Sequence, residues 1–367
     1  MRIAFVNPNL AHDYDADTPF ERALPGSESA QVYLALAMAR RGHEVALFTG
    51  TTKGDARARG LDQARWSGAL PGDWDAIFVT SAPELVPDLR AAHAAVPIFA
   101  WAHNVFVPGS AEDSALKALT HPRDRILCVS NWHKANFASY GVAPERIVVL
   151  RNAIGPAFED LFAPGESVLA AKARPPRAAF ASVPYKGLKQ ALAFFKDLRG
   201  QRGDVTLDLF SSFDFYPDNN FFRHQPSWKI VAHEARKQEG VVSHGNVPQG
   251  ELARALKAAL LLFYPNVAAE TASIATMEAM AAGCVVVTTA LGALPETTGE
   301  FGILAPVVEG KIDPQAYVSA STAILDAFAA GNPALDARLR AQVEWVNATY
   351  RWDHRSAEAE ASIRELA

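Results

Sequence analysis

Cysteine, long apolar runs and an excess of charge of either sign are all scarce in this 367-residue chain. The two cysteines, Cys128 and Cys284, lie singly in apolar runs, so neither a disulfide framework nor a zinc-binding CxxC pattern is indicated. Both are predicted to be small buried side chains in a reducing compartment. With 35 basic and 40 acidic residues, the net charge of −5 provides no overall positive field, and nucleic acid is not an expected partner.

Apolar runs never approach the 18 or more residues of a membrane-spanning helix. The first residues, MRIAFVNPN, contain too short an apolar run for a signal peptide and read better as a β-strand. We therefore expect a cytoplasmic protein, for which contact with the inner face of the membrane stays open. No GxGxxG follows this strand, which argues against a nicotinamide or flavin enzyme, and the sequence also lacks GxSxG, HExxH and Walker motifs.

Short apolar runs alternate with segments of helical period. Apolar residues make up 49% of the chain and charged residues 20%, as in globular proteins, and the length suggests about two domains. Runs rich in Val, Ile and Phe without polar alternation are typical of parallel strands buried on both faces. The predicted fold class is α/β, with two doubly wound, Rossmann-like domains facing each other. The predicted strands are 2–6, 44–49, 76–79, 98–102, 125–129 and 147–150, then 178–181, 205–210, 241–244, 260–264 and 285–288.

The domain boundary is expected in the segment 153–176, which is dense in Gly and Pro. This position predicts an N-terminal domain over 1–160 and a C-terminal domain over 172–350. The last segment, 352–367, is predicted to be a helix that packs back on the first domain.

Two helices of the first half have recognisable ends. One is predicted over 29–41, with Ser27 as its N-cap and Gly42 as its stop. The other is predicted over 131–140, with Ser130 as its N-cap.

The strongest site signal is the segment YPNVAAETASIATMEAMAAGCVVVTT, which starts at Tyr264. It reads as the end of a strand, a short loop and a helix that begins near Thr271. Ligands of open α/β sheets bind where strands end and helices begin. The first backbone amides of such a helix have no partner within it and favour a phosphate. The amides predicted to bind a diphosphate are those of Thr271, Ala272, Ser273 and Ile274.

Two acids, Glu270 and Glu278, lie eight residues apart in this segment. We expect Glu278 about two helical turns beyond Glu270 and on much the same side. A carboxylate accepts paired hydrogen bonds from a diol, so a sugar and a ribose are suitable partners. The alternative is that Glu270 caps the helix and Glu278 is a solvated charge. The apolar neighbours of Glu278 argue against that alternative, because an acid among them needs a partner.

These motifs resemble the retaining glycosyltransferases of family 4 (glycosyl transferases group 1). The resemblance rests on Glu270-x7-Glu278 with EAMAAG, and on GALPE at Gly292–Glu296. It extends over PGSESAQVYLALAMARRGHEV, VSNWHKANFASYGV and VVLRNAIGPAF. It implies the GT-B fold with an interdomain cleft, a nucleotide-sugar donor bound mainly by the C-terminal domain and an acceptor bound on the N-terminal side. Glu270 would then position the sugar and Glu278 the ribose.

The resemblance also implies roles for three residues outside this segment. Gly26 would lie in the loop after the first strand, near the diphosphate, although the family usually has a Gly pair where this chain has Pro25 and Gly26. His103 would face the donor sugar or a phosphate as a neutral imidazole. Lys186 would neutralise the charge of the departing diphosphate. For each residue a purely structural role is the alternative.

One family residue is missing, because Ala181 stands where an Arg often precedes the motif lysine. Ser182, Lys189 or Arg177 could take the place of this arginine. The alternative is that the leaving group receives weaker assistance in this protein.

Further parts of the donor pocket are predicted at the ends of neighbouring strands. Gly245, Asn246 and Val247 resemble the stretch that cradles the nucleobase, and Ser211 borders the pocket. The aromatic segment 213–222 is a candidate lid or acceptor platform, with packing against the second domain as the alternative. Asp13, Asp15 and Asp17 imitate an Asp-x-Asp metal site, but they lie in the first loop of a Rossmann-like half. No metal and no cofactor are expected.

The predicted function is transfer of a hexose, with retention of configuration, from a nucleotide-diphosphate sugar to a glycan or lipid-linked acceptor. UDP is favoured over GDP on family frequency, and surface polysaccharide synthesis is the expected setting. Two alternatives stay open. One is a nucleotide-sugar epimerase of the same fold, and the other is a two-lobed binding protein without catalysis.

Overall fold

The computed structural model describes residues 1–8, 13–214 and 225–365. The chain divides into two compact units. The first comprises Met1–Ala153 together with Tyr350–Ala367, and the second comprises Ile154–Thr349. The change of unit at Ala153 lies at the beginning of the Gly- and Pro-rich segment 153–176, where breakers interrupt regular structure.

The first unit is built on an eight-stranded sheet with helices between the strands. Its strands are β1 (Arg2–Asn7), β2 (Glu44–Thr49), β3 (Ala56–Ala58), β4 (Leu61–Arg65), β5 (Ala76–Thr80), β6 (Ile98–Ala102), β7 (Arg125–Cys128) and β8 (Ile147–Val149). Its helices are α1 (Thr18–Glu21), α2 (Gly26–Arg40), α3 (Val86–Ala92), α4 (Ala111–Ala118) and α5 (Asn131–Ser139), with one further helix from the end of the chain.

The strand order of this sheet is β3-β4-β2-β1-β5-β6-β7-β8, and every pairing except β3 with β4 is parallel. Successive strands add to one side of β1 and then to the other, which is the doubly wound arrangement. Its central strands are buried because most of their residues are apolar. Phe5, Phe78 and Phe99 stand in register on β1, β5 and β6, with ring centroids 4.9 and 5.0 Å apart.

The second unit repeats the pattern with a six-stranded parallel sheet. Its strands are β9 (Arg177–Phe180), β10 (Thr206–Leu209), β11 (Val241–Ser243), β12 (Leu261–Phe263), β13 (Val285–Thr289) and β14 (Ile303–Ala305), and a small hairpin is formed by β15 (Val307–Val308) and β16 (Lys311–Ile312). Its described helices are α6 (Leu188–Gln201), α7 (Pro226–Lys237), α8 (Gln249–Ala258), α9 (Ile274–Ala281), α10 (Leu294–Thr298), α11 (Pro314–Ala329) and α12 (Pro333–Thr349).

The order of this sheet is β11-β10-β9-β12-β13-β14. Counted from its own first strand, it is 3-2-1-4-5-6, the order of the dinucleotide-binding fold. The order reverses between β9 and β12, because the strand that follows β9 lies on one side of this pair and the strand that follows β12 lies on the other. That point is where open α/β sheets hold their ligands.

The final helix, α13 (Trp352–Glu365), belongs to the first unit and packs on α2. Trp352 is 2% exposed, with its ring centroid 6.0 Å from Tyr33 and 6.4 Å from Trp101.

Two predicted helix starts were wrong. The early helix begins at Gly26 and not at 29, because the backbone already turns helical after extended Pro25, so Ser27 lies inside it. The later helix begins at Ile274 and not at Thr271, because Ser273 is its N-cap and accepts a hydrogen bond from the Thr276 amide. The predicted cap at Ser130 is confirmed by its bond from the His133 amide.

The sequence prediction also missed β3 and β4, whose residues include Arg57, Asp62 and Arg65. They lie at the edge of the sheet, where one side of a strand can face water, so the apolar signal is weak. Both cysteines are buried thiols, as predicted. In the described ranges, no helix is both long and apolar enough to cross a bilayer.

Candidate active site

The loops that leave β9 and β12 meet at the reversal point of the second sheet. After β9 the chain forms one 3₁₀ turn, Pro184–Lys186, and reaches Gly187 with φ +123°. A Cβ atom at Gly187 would lie 2.3 Å from the Pro265 carbonyl oxygen in the loop after β12. Glycine at this position therefore lets the two loops come together and brings Lys186 to the second loop.

Lys186 and Glu270, predicted separately as diphosphate and sugar ligands, form an ion pair. The Lys186 ammonium donates to both carboxylate oxygens of Glu270, at 3.0 and 2.9 Å. The Glu270 side chain is 4% exposed and that of Lys186 26%. Burial by itself would lower the pKa of Lys186, but the Glu270 carboxylate outweighs it and raises that pKa, so the ammonium is charged. The pair thus places a cation and a hydrogen-bond acceptor side by side.

The backbone of Glu270 is fixed by the GALPE motif. Glu270 forms an isolated parallel bridge with Gly292, and the Ala293 amide donates to the Glu270 carbonyl at 2.7 Å. Gly292 has φ +65°, and a Cβ atom there would lie 2.2 Å from the Glu270 carbonyl oxygen. The motif therefore keeps the backbone close enough to hold Glu270 in place.

Tyr264 and Ser182, which the sequence analysis did not place around Glu270, complete the surroundings of its side chain. Tyr264, which ends the LLFY run after β12, donates its hydroxyl hydrogen to Glu270 Oε1. Ser182 donates to the Tyr264 hydroxyl oxygen at 3.4 Å, and Ser211 donates to the Ser182 carbonyl. A polar residue at the carboxyl end of a buried strand is the signal that could have identified Tyr264.

Of the four amides predicted to bind a diphosphate, only that of Ile274 belongs to the helix, because the helix starts later than expected. Thr271 and Ala272 lie in the loop, and Ser273 is the N-cap. Ile274 opens the helix, where amides lack intrahelical partners. The helix end thus lies four residues beyond Glu270 along the chain.

Glu278 lies deeper than predicted and has partners of its own. Its Oε1 accepts from the Gly155 amide at 3.2 Å, and Gln249 also donates to the carboxyl group. Burial raises the pKa of Glu278 to about 8, although both hydrogen bonds oppose the shift. Among the described contacts, Glu270 and Glu278 share no side-chain partner. The alternative of a solvated charge is excluded, because Glu278 is 3% exposed.

The stretch predicted to cradle the base follows β11. His244 bonds Asp208 at 2.8 Å and stacks on Phe210 with centroids 4.7 Å apart. These contacts fix the start of the loop formed by Gly245, Asn246 and Val247, in which Gly245 has φ +70°. The loop is half-buried at the same sheet edge as Ser211.

His103 and Gly26 lie in the first unit. His103 follows β6, with Nδ1 3.4 Å from Ser81 Oγ and Nε2 3.3 Å from Asn152 Oδ1. Burial lowers the pKa of His103 to about 4, so the imidazole is neutral at physiological pH. Together with Ser81 and Asn104 it lines a small cavity at the carboxyl edge of the sheet. Gly26 does not lie in a loop, since it is the first residue of α2.

One suggested substitute for the missing arginine is excluded by position. Arg177 is the first residue of β9, at the amino end of the strand, and lies 3.7 Å from Asp208. Ala181 and Ser182 lie at the opposite, carboxyl end. Ser182 does reach the site, through Tyr264.

The first-loop acids have separate partners. Asp13 bonds Thr52, Asp17 pairs with Arg59, and Asp15 is buried, 2.5 Å from Lys53. Within residues 1–8, 13–214 and 225–365, no three His, Cys, Asp or Glu side chains are grouped as metal ligands. The aromatic segment 213–222 lies outside the described residues except for Phe213 and Asp214.

The two Rossmann-like α/β units have the GT-B fold. Several solved structures share the fold. Sucrose-phosphate synthase from Thermosynechococcus elongatus is 17% identical, with a TM-score of 0.74 over 100% of this chain and 98% of that chain. Anabaena HepE in complex with UDP and glucose is 14% identical, with a TM-score of 0.68 over 100% of both chains. WaaG, a glycosyltransferase involved in lipopolysaccharide biosynthesis, is 13% identical, with a TM-score of 0.66 over 99% of both.

Family profiles identify the chain more closely. The profile of Glycosyltransferase Family 4 matches residues 26–158, and that of Glycosyl transferases group 1 matches residues 178–327. The chain belongs to the group 1 glycosyltransferases of family 4. A comparison with curated proteins gave no significant match.

Proposed function

We propose that this glycosyltransferase moves a hexose, with retention of configuration, from a nucleotide-diphosphate sugar to a glycan or lipid-linked acceptor. The observation that carries the proposal is the Lys186–Glu270 pair at the reversal point of the second sheet. A half-buried cation beside a buried acceptor suits a ligand in which an anionic diphosphate is joined to a sugar rich in hydroxyl groups. The N-terminus of α9 follows in the same segment and favours phosphate.

The roles follow from the chemistry of each position. Lys186 binds the diphosphate and stabilises its growing charge as the leaving group departs, which is the usual source of catalysis in group transfer. The loop amides of Thr271, Ala272 and Ser273 and the helix amide of Ile274 assist it. Glu270 orients the sugar and Glu278 accepts from the ribose. In the first unit, Gly26 and neutral His103 serve the sugar or a phosphate. The base lies along Gly245, Asn246 and Val247, beside Ser211.

The reaction is a front-face displacement. The acceptor hydroxyl attacks the anomeric carbon on the side from which the diphosphate leaves, and a phosphate oxygen takes the acceptor proton. Glu270 is held by Lys186 and Tyr264, and this arrangement supports a positioning role over that of a covalent nucleophile. The cation of Lys186 supports chemistry that proceeds without a metal or cofactor.

UDP is the proposed nucleotide, with GDP second. HepE is described in complex with UDP and glucose, which supports this choice by analogy of fold. The lipopolysaccharide role of WaaG supports an acceptor in surface polysaccharide synthesis on the same ground. Such an acceptor would bring the protein to the cytoplasmic face of a membrane.

Donor binding is tested first by thermal-shift screening of UDP, GDP, ADP and their sugars. A ligand at 100 times its Kd should stabilise the fold by about 2.7 kcal/mol. The absence of any shift would contradict a donor site. Product analysis without acceptor separates transfer from epimerisation, and turnover itself excludes a binding protein without catalysis.

The role of Glu270 is tested with Glu270→Gln, which removes the charge while keeping the shape. Because the amide accepts through one oxygen only and carries no charge to pair with Lys186, the sugar is oriented less well and turnover should fall about 100-fold. Asp124→Asn is a matched control, because Asp124 is also buried and paired, 2.8 Å from Arg90 in the first unit. The control should lose stability and keep turnover within about twofold. Equal turnover in Glu270→Gln and the control would overturn the assignment.

A further inference from the structure

Tyr264 has a rigid setting at the carboxyl end of β12. It is 1% exposed, and its backbone amide donates to the Val287 carbonyl at 3.0 Å. Its ring meets Phe180 edge to face, with centroids 5.8 Å apart. Because the backbone and the ring are both fixed, the direction of the hydroxyl group is determined by the core and not by solvent.

The Tyr264 hydroxyl is a neutral donor aimed at Glu270. Burial, and then the charge of Glu270, raise the pKa of Tyr264 well above its ordinary value, so the phenol keeps its proton. It donates that hydrogen to Glu270 Oε1 and accepts from Ser182. Among the described residues, the Glu270 carboxylate therefore receives two hydrogen bonds from Lys186 and one from Tyr264.

Lys186 has two competing partners once a donor is bound. It holds both oxygens of Glu270, yet the proposed function also assigns it to the diphosphate. A diphosphate carries more negative charge than a carboxylate, so it draws the ammonium toward itself. Glu270 would then be a buried carboxylate that has lost most of its ion pairing, which is costly unless another donor stays in place.

We propose that Tyr264 is a positioning residue that keeps the Glu270 carboxylate oriented toward the donor sugar while Lys186 turns to the diphosphate. This inference rests on the proposed function. Tyr264 can hold this position because its ring is packed in the core, whereas the flexible stem of Lys186 can move. The hydroxyl serves the sugar end of the donor through Glu270 and makes no contribution to binding the nucleotide itself.

The test compares Tyr264→Phe with Tyr317→Phe. Tyr317 is also fully buried in the second unit, its hydroxyl donates to the Val287 carbonyl at 2.7 Å, and its ring lies 4.9 Å from Phe263. Each substitution removes one buried, hydrogen-bonded hydroxyl and keeps the ring. Because the Val287 carbonyl also accepts from the Tyr264 amide, the control shares both the general loss of stability and any disturbance of the Tyr264 backbone. The measurements are the melting temperature, the affinity for UDP, GDP and ADP, and kcat/KM for the nucleotide sugar that the wild type uses.

Tyr264→Phe should lower kcat/KM about tenfold while the affinity for the nucleoside diphosphate stays within about twofold. Tyr317→Phe should leave kcat/KM and nucleoside-diphosphate affinity within about twofold of the wild type, at a melting temperature similar to that of Tyr264→Phe. The inference is overturned if Tyr264→Phe keeps its kcat/KM, or if nucleotide affinity falls in parallel, as a damaged pocket would cause. A wild type that binds none of the three diphosphates contradicts the proposed function itself, and the inference with it.

Discussion

At the scale of single residues, burial sets the charge of two groups in opposite directions. The same desolvation that lowers the pKa of His103 to about 4 raises that of Glu278 to about 8. Both side chains are consequently neutral near pH 7 before any ligand arrives. For Glu278 this neutrality affects the stability of the fold, because in the unfolded chain the same carboxyl group has its ordinary pKa of 4.5.

Glu278 makes the fold less stable as pH rises. Between pH 4.5 and about 8 the folded state keeps a proton that the unfolded state has released, so stability falls through this window and levels off above it. Glu278→Gln does not titrate and can still accept from the Gly155 amide. We therefore expect the urea midpoint of Glu278→Gln minus that of the wild type to increase between pH 5 and pH 8.

The same variant should bind the nucleotide more weakly if Glu278 contacts the ribose. If the stabilities of wild type and Glu278→Gln changed in parallel between pH 5 and pH 8, Glu278 would already be ionised in the folded protein.

At the scale of elements, glycines decide how closely the site loops approach. Gly292 has φ +65° and faces the Glu270 carbonyl, whereas Gly310, with φ +74° on the β15–β16 hairpin, has no atom within 4 Å of its Cβ position. Gly292→Ala thus combines a left-handed backbone with a backbone clash, while Gly310→Ala has the backbone strain alone.

We expect Gly310→Ala to cost about 1–2 kcal/mol, and Gly292→Ala clearly more. Gly292→Ala should also weaken donor binding, because relief of the clash displaces Glu270. The measurements are urea unfolding and calorimetric titration with UDP. Similar losses in the two variants, with UDP affinity unchanged, would argue against a role for this loop in the site.

Element positions were well predicted by the sequence, but element ends were not. Buried parallel strands stand out as apolar runs, and Ser130 is a local cap that could be recognised. The start of α9 was predicted near Thr271, but the bridge between Glu270 and Gly292 keeps Glu270 outside the helix and Ser273 caps it. Residues 22 positions apart make that bridge, beyond the reach of a local pattern.

At the scale of the whole molecule, the first unit is discontinuous, and its last element comes from the end of the chain. Exposed pairs such as Arg40–Asp353 contribute little to its attachment, since both side chains are more than half exposed. The buried Trp352 ring, beside Tyr33 and Trp101, contributes most.

Trp352→Ala should therefore destabilise the protein by about 3–5 kcal/mol. Tyr140→Ala is a control in the same unit, because Tyr140 is 52% exposed, and it should cost about 1 kcal/mol or less. Equilibrium unfolding in urea measures both. A small loss for Trp352→Ala would mean that α13 is dispensable for the first unit.

The sequence by itself determined the two doubly wound units, the candidate site segment and the identity of its charged residues. These depend on local patterns, namely apolar strands, helical periods and a motif of nine positions. Only the tertiary structure decided which groups meet. Lys186 and Glu270 are 84 residues apart, and Gly155 and Glu278 are 123 apart. Their contacts follow from strand order and from glycines that let loops touch, and the charge of each group follows from how deeply the fold buries it.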